Sequence, residues 1–231
     1  MPSQRESNIN DFAFDYLRNH YTTRFGAKHI LVDKDEQTKQ GSITQGLFSM
    51  KKEDNTLFVA ALHTHHSPEI TRALVKYKKK GFNVFRFALT LLTLISVLLA
   101  GLLLGQLVSG AVAAVVLAIS VFALYSFVGK RLQQRKLARL LDTLKKTPAD
   151  EQWLGLSISS LTFRNNDLAK QLLAMCERRG VGIITVGQRA KVILMKEPQA
   201  ATCRRGDFLS HYNADARIRK ALLGDSVLRV A

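Results

Sequence analysis

The chain has 231 residues, with 34 Lys and Arg against 18 Asp and Glu, so its formal net charge is +16. A balance this basic predicts attraction to a polyanion, either nucleic acid or anionic lipid headgroups, and charge by itself does not separate the two. Two cysteines, Cys176 and Cys203, with no paired spacing, argue against a disulfide framework and fit a reducing compartment.

The polar start MPSQRESNINDF has no apolar core, so no cleaved signal peptide is expected. Over residues 8–21, Ile9, Phe12, Ala13, Tyr16, Leu17 and Tyr21 recur at helical spacing and predict an amphipathic helix, which Gly26 ends. Residues 29–33 form a short strand-like run, and the polar stretch DKDEQTKQGS after it reads as a loop. Residues 44–50 and 56–64 read as two strands, joined by a turn in which Asp54 and Asn55 suit a hairpin. Ser67, Pro68 and Glu69 form a helix start, with a capping serine and a proline at the first position, and that helix runs to Lys80.

Residues 87–129 then run for 43 positions without a charged side chain. A membrane-spanning helix needs about 20 apolar residues, so the run is long enough for two. Gly105, Gln106, Ser109 and Gly110 break it near the middle, which predicts a helical hairpin of residues 87–104 and 111–128. Both arms are apolar on every face, unlike the single stripe of a soluble helix. Arg72, Lys76, Lys78, Lys79, Lys80 and Arg86 precede the hairpin, and Lys130, Arg131, Arg135, Lys136, Arg139, Lys145 and Lys146 follow it. Cations at span ends stay on the cytoplasmic side, so a two-span protein of the cell membrane with both termini in the cytoplasm is expected. The hairpin holds no acid, base or histidine, which fits an anchor better than an ion or substrate path. Gly101, Gly105, Ser109, Gly110 and Ala114 are small enough to let it pack on other membrane subunits or on a second copy.

After the hairpin, residues 130–146 predict a basic helix with Leu132, Leu137, Leu140, Leu141 and Leu144 on one face, stopped by Pro148. Residues 153–159 read as a strand, 166–179 as a helix capped by Asn165 or Asn166, and 182–186 and 190–195 as two further strands. Strand, helix, strand with continuously apolar strands signals a parallel crossover in a buried sheet. From Glu197 onward the tail is basic and weakly periodic, with a short helix hinted at 218–223. The organisation expected is one cytoplasmic α/β domain in two halves, 1–82 and 130–198, split by the hairpin 83–129 and followed by the tail 199–231.

The order helix, strand, strand hairpin, helix, then strand, helix, strand resembles the restriction-endonuclease-like fold of the PD-(D/E)XK superfamily, including its Mrr-like branch. The closest local likeness is LAKQLLAMCERRGVGIITVGQRAKVILMKEP. The resemblance implies a mixed sheet flanked by helices, with the hairpin inserted between the third and fourth strands. Those nucleases place an acid on the second strand and acid-x-Lys on the third, because carboxylates hold the Mg²⁺ that activates water. The matching positions are Gln45 and the triplet Ala61, Leu62, His63, so the resemblance implies a catalytically degenerate copy with no cofactor. The alternative is an active Mg²⁺-dependent endonuclease working through Asp33 with Gln37 and Lys39.

Other constellations carry less chemistry. His63, His65 and His66 at a strand end read as caps of the following turn, the alternative being a zinc shared by His63 and His65. Gly41, Gly46 and Gly182 make no phosphate loop, and Ser157, Ser159 and Ser160 lack a nucleophile-elbow frame. Trp153 reads as a core residue or a membrane-interface anchor, and Cys176 as a small buried hydrophobe. The expected role is a membrane-tethered module binding a polyanion or a protein partner, with Lys51, Lys52, Lys78, Lys79, Lys80, Lys130, Arg131, Arg135 and Lys136 as the polyanion-binding set. A structural subunit of a larger membrane complex is the remaining alternative.

Overall fold

The computed structural model describes residues 4–27, 29–52, 56–80, 85–105, 107–187, 191–199 and 207–223, with backbone alone at 4–9, 79, 80, 85, 86 and 107. The expected turn at Asp54 and Asn55 and the residue Cys203 lie outside them. Two compact units partition the chain, Met1–Leu74 with Ala138–Ala231, and Val75–Leu137.

The first unit is built on a six-stranded mixed sheet in the order β1-β2-β3-β4-β5-β6. Its strands are β1 (Ile30–Gln37), β2 (Ile43–Lys51), β3 (Leu57–His63), β4 (Glu151–Leu156), β5 (Val181–Val186) and β6 (Val192–Lys196). β1, β2 and β3 form an antiparallel meander, β3, β4 and β5 run parallel, and β6 returns antiparallel to β5. The parallel β4 to β5 step passes through α5 (Asp167–Arg179), as a crossover between two fully buried strands requires.

Strand alternation decides which helix covers which face. Phe48, Met50, Phe58, Ala60, Leu62, Trp153, Ile184 and Val186 share one core cluster with Ala13, Phe14, Leu17 and Tyr21 of α1 (Gln4–Phe25). Leu47, Val59 and Ala61 pack on the opposite face with Leu209, Tyr212 and Ile218. Helix α5 buries Leu168, Ala169, Leu172 and Cys176. Asn166 is its N-cap: Oδ1 accepts from Ala169 N at 3.2 Å, while Nδ2 donates to Leu74 O at 3.1 Å and to Thr162 O at 3.2 Å. Gly180 closes the helix at φ 67°, a conformation that a Cβ would strain.

Three local expectations are corrected. The polar stretch after residue 33 is not a loop, because β1 continues to Gln37; an edge strand needs no apolar outer face, and charges there discourage pairing with another chain. The segment from residue 207 is not a loose tail. A 3₁₀ turn at Phe208–His211 and helix α6 (Asp215–Leu223) bury Leu209, Tyr212 and Ile218, Tyr212 bridges to Thr38, and its hydroxyl donates to Pro148 O at 2.8 Å. Ser67 lies inside α2 (Ser67–Lys80), and its Oγ accepts from Ser157 N at 2.8 Å, tying the helix start to the loop after β4.

The second unit holds α3 (Phe85–Leu103) and the apolar part of α4 (Leu107–Lys145). The basic helix expected at 130–146 is the C-terminal part of α4, which no residue interrupts. Gly105 at φ 69° turns the chain between the two helices. They run antiparallel: the Phe87 and Phe122 rings lie 5.6 Å apart, and a Cβ placed on Gly110 would stand 2.8 Å from the Gly101 Cα. Gly101 and Gly110 thus serve a close approach within this pair. Among the described residues one helix, Val108–Lys145, is long and apolar enough to cross a membrane, and the apolar arm Phe87–Leu103 is shorter.

Candidate functional site

The positions that the resemblance marks for chemistry meet at one end of the sheet. The β2–β3 register pairs Leu47 with Ala61 and Gly46 with Leu62. Alternation then sets Gln45, Ala61 and His63 on the same face, the one packed by Leu209 and Tyr212. None of the three supplies a carboxylate. Gln45 Oε1 accepts from Thr64 N at 3.0 Å and from His65 N at 3.3 Å, so its carbonyl closes the chain turn after β3. Ala61 is fully buried.

His63 is 4 % exposed, and its Nε2 is buried without a hydrogen-bond partner. Burial pushes its pKa down to about 4, with His66 adding to the effect, so the ring is neutral near pH 7. His66 is lowered in the same way, by partial burial and then by His65, whose ring centroid lies 5.2 Å away. Among the described residues no group of three or more His, Cys, Asp or Glu stands close enough to hold a metal ion. A hard divalent cation prefers several oxygen ligands, whereas this corner offers imidazoles and an amide oxygen already engaged by the backbone.

Asp33, Gln37 and Lys39 do not converge. Arg217 Nη2 donates to Asp33 Oδ1 at 2.7 Å and to Glu36 Oε1 at 2.6 Å, while Lys39 Nζ donates to Ser210 O at 2.6 Å. Gln37 O accepts from Asn213 N at 3.1 Å. All three side-chain or backbone groups hold the segment 207–223 against β1 and the turn after it. Arg219 makes a parallel pair of contacts, to Asp215 at 2.5 Å and to Asp207.

Glu151, which no sequence motif marks, is the only buried carboxylate among the described residues. Its Oε2 accepts from Tyr21 Oη at 2.8 Å and its Oε1 from Arg24 Nη1 at 2.8 Å, and Tyr21 Oη in turn accepts from Trp153 Nε1 at 2.6 Å. Trp153 is therefore a core residue, fully buried, and not an interface anchor. Both Glu151 oxygens are used, which makes the residue a tie between α1 and the sheet. Glu151 and Trp153 two positions apart, and Tyr21 and Arg24 three apart on a helix, were the available signal.

The cationic set divides between the units. Lys51 and Lys52 belong to the first, where Lys52 Nζ sits 4.6 Å from the Phe58 ring centroid and 5.4 Å from that of Phe25. Lys78, Lys130, Arg131, Arg135 and Lys136 belong to the second, and the side chains of Lys79 and Lys80 lie outside the described residues. Arg131, Arg135 and Arg139 are exposed and follow one another at i, i+4 spacing, a cationic stripe directly after the apolar run of α4. Arg131 covers the Phe127 ring at 4.4 Å. No family model, no curated protein and no solved structure matches the chain.

Proposed function

We propose that the chain is a membrane-anchored module. In this reading α3 and the apolar part of α4 lie in the bilayer as a hairpin with both ends on the cytoplasmic side. The α/β unit is then a nuclease-like domain without nuclease chemistry, and the stripe Arg131, Arg135 and Arg139 binds anionic headgroups. The observation that carries this is the surface of the second unit, where Leu92, Val112 and Ile119 are each more than 60 % exposed and no charged side chain occurs from residue 87 to 129. A continuous apolar surface this large is unstable in water and suits acyl chains, and each cation near an anionic surface adds about 1 kcal/mol. The element order of the first unit and the absence of a carboxylate at Gln45, Ala61 and His63 support the second half of the reading.

The test uses full-length protein in a zwitterionic detergent at about 0.15 M salt. It is offered mixed micelles containing phosphatidylserine or phosphatidylcholine, labelled duplex DNA, and plasmid with Mg²⁺. The expected result is retention on phosphatidylserine that the triple substitution R131E/R135E/R139E abolishes, with intact plasmid. DNA retention lost in the same variant would move the partner from lipid to nucleic acid, and Mg²⁺-dependent nicking would refute the inactive site.

A further inference from the structure

We infer that the hairpin has no loop in water on the far side of the membrane: its turn stays inside the bilayer, at the far boundary between acyl chains and headgroups. This rests on the membrane reading above and deepens it. Three independent observations converge on the turn.

The first is length. The contact of Phe87 with Phe122 fixes which levels of the two arms lie side by side. From Phe87 to the end of its helix at Leu103 the arm rises about 25 Å at 1.5 Å per residue. On the other arm the first cation is Lys130, and the rise from there back to Val108 is about 33 Å. An acyl core is about 30 Å thick, and about 40–45 Å with headgroups. With either base at the near boundary, the turn falls short of the far aqueous phase, and any tilt shortens the reach further.

The second is composition. Phe87, Phe122, Tyr125 and Phe127 all stand at the base, beside the cations, and no aromatic or charged residue occurs from 88 to 121. Aromatic belts mark both interfaces of a helix that crosses fully. Here one end has a belt and the turn has none. Leu103, Leu104 and Val108 are instead 88 %, 77 % and 79 % exposed, a leucine and valine cap that water would penalise.

The third is polar satisfaction. Gly105 N donates to Leu102 O at 3.1 Å and Leu104 N to Ala100 O at 3.1 Å, so amides of the turn are bonded within it. Along the arms the hydroxyls of Thr90, Thr93, Ser96 and Ser120 each donate to a carbonyl of their own helix at 2.8–3.0 Å. Ser126 Oγ, four residues before Lys130, is buried without a partner, while these four hydroxyls meet the condition that a medium without hydrogen bonds imposes. A reach of about 25–33 Å against an acyl core of about 30 Å sets the turn at the headgroup boundary and not at mid-bilayer.

The test is depth measurement on the full chain in phosphatidylcholine/phosphatidylserine vesicles. A nitroxide is placed in turn at Leu92→Cys, Leu104→Cys and Arg139→Cys, in a background carrying Cys203→Ser. Cys176 is buried and stays, and the unsubstituted background reports any label it takes. Collision with oxygen and with a water-soluble nickel chelate present on both sides of the membrane is read at each site. The expected order of nickel exposure is Leu92 lowest, Leu104 several-fold below Arg139, and Arg139 highest. Nickel exposure at Leu104 equal to that at Arg139, with Leu92 still protected, would overturn the buried turn and leave the anchor standing. Exposure at Leu104 no greater than at Leu92 would overturn the boundary placement. High nickel exposure at Leu92 as well would overturn the membrane reading and this inference with it.

Discussion

The buried neutral imidazole of His63 predicts a specific acid lability. Its pKa is lowered from 6.5 to about 4 by burial, with His66 contributing, so between those values the unfolded chain binds a proton that the folded chain refuses. Stability is therefore complete above pH 6.5 and is lost as pH falls toward 4, the sign expected for a base depressed by folding. A shift of this size corresponds to a ceiling of about 3 kcal/mol, of which about 2 kcal/mol is lost between pH 7 and pH 5. The perturbation that isolates it is His63→Leu, which removes the titrating ring and the orphaned Nε2 together while keeping most of the volume. Trp153 is the single tryptophan of the chain and fully buried in the same sheet, so its emission reports unfolding of this unit alone. In urea titrations in non-ionic detergent, the variant should match or exceed the wild-type midpoint at pH 7 and lose about 2 kcal/mol less on going to pH 5. His20 and His66, also lowered by burial, titrate in both proteins and cancel in the difference. An unchanged pH slope in His63→Leu would refute a neutral, desolvated His63.

Tyr21→Phe removes the acceptor of the Trp153 indole N–H and a donor to Glu151; it should cost about 2–3 kcal/mol in the same assay, and combination with Glu151→Gln should cost less than the sum, since the two share one network. Gly180→Ala places a Cβ at φ 67° and 2.9 Å from Gln199 O, for a loss of about 1–2 kcal/mol that calorimetry of the detergent-solubilised chain would detect. Gly110→Val pushes against the Gly101 backbone and should part the two helices, lowering the yield of a disulfide engineered between Phe87→Cys and Phe122→Cys well below that of the same pair with Gly110 intact.

How much of this was legible in the sequence depends on how local the cause was. Strands β2, β4 and β5, the cap at Asn166 and the parallel crossover follow from neighbouring residues, because an apolar run or a capping side chain acts within a few positions. The continuation of β1 and the folding of residues 207–223 do not, since their charges are satisfied across the chain: Arg217 meets Asp33 184 positions away and Glu36 181 away. Read alone, DKDEQTKQ is a polar loop and the tail a basic run; read together, each neutralises part of the other. The same holds for Glu151, whose partners lie 130 and 127 positions earlier.

The candidate site was legible in its faces and illegible in its hydrogen bonds. Alternation and an antiparallel register suffice to bring Gln45, Ala61 and His63 to one side of the sheet. What no local pattern reveals is that Gln45 spends its carbonyl on the Thr64 and His65 amides, so that a substitution there acts first on the turn and only then on anything bound beside it. The hairpin repeats the lesson at larger scale. In the proposed membrane reading, absence of charge over residues 87–129 points to an apolar medium without saying how far the chain travels through it. The contacts of Phe87 with Phe122 and of Gly101 with Gly110 set the arms in register, with one cationic base starting beside Phe87 and the other eight residues beyond Phe122. That stagger of about 12 Å separates an anchor that fills the membrane from one that must leave a cation or its turn inside it.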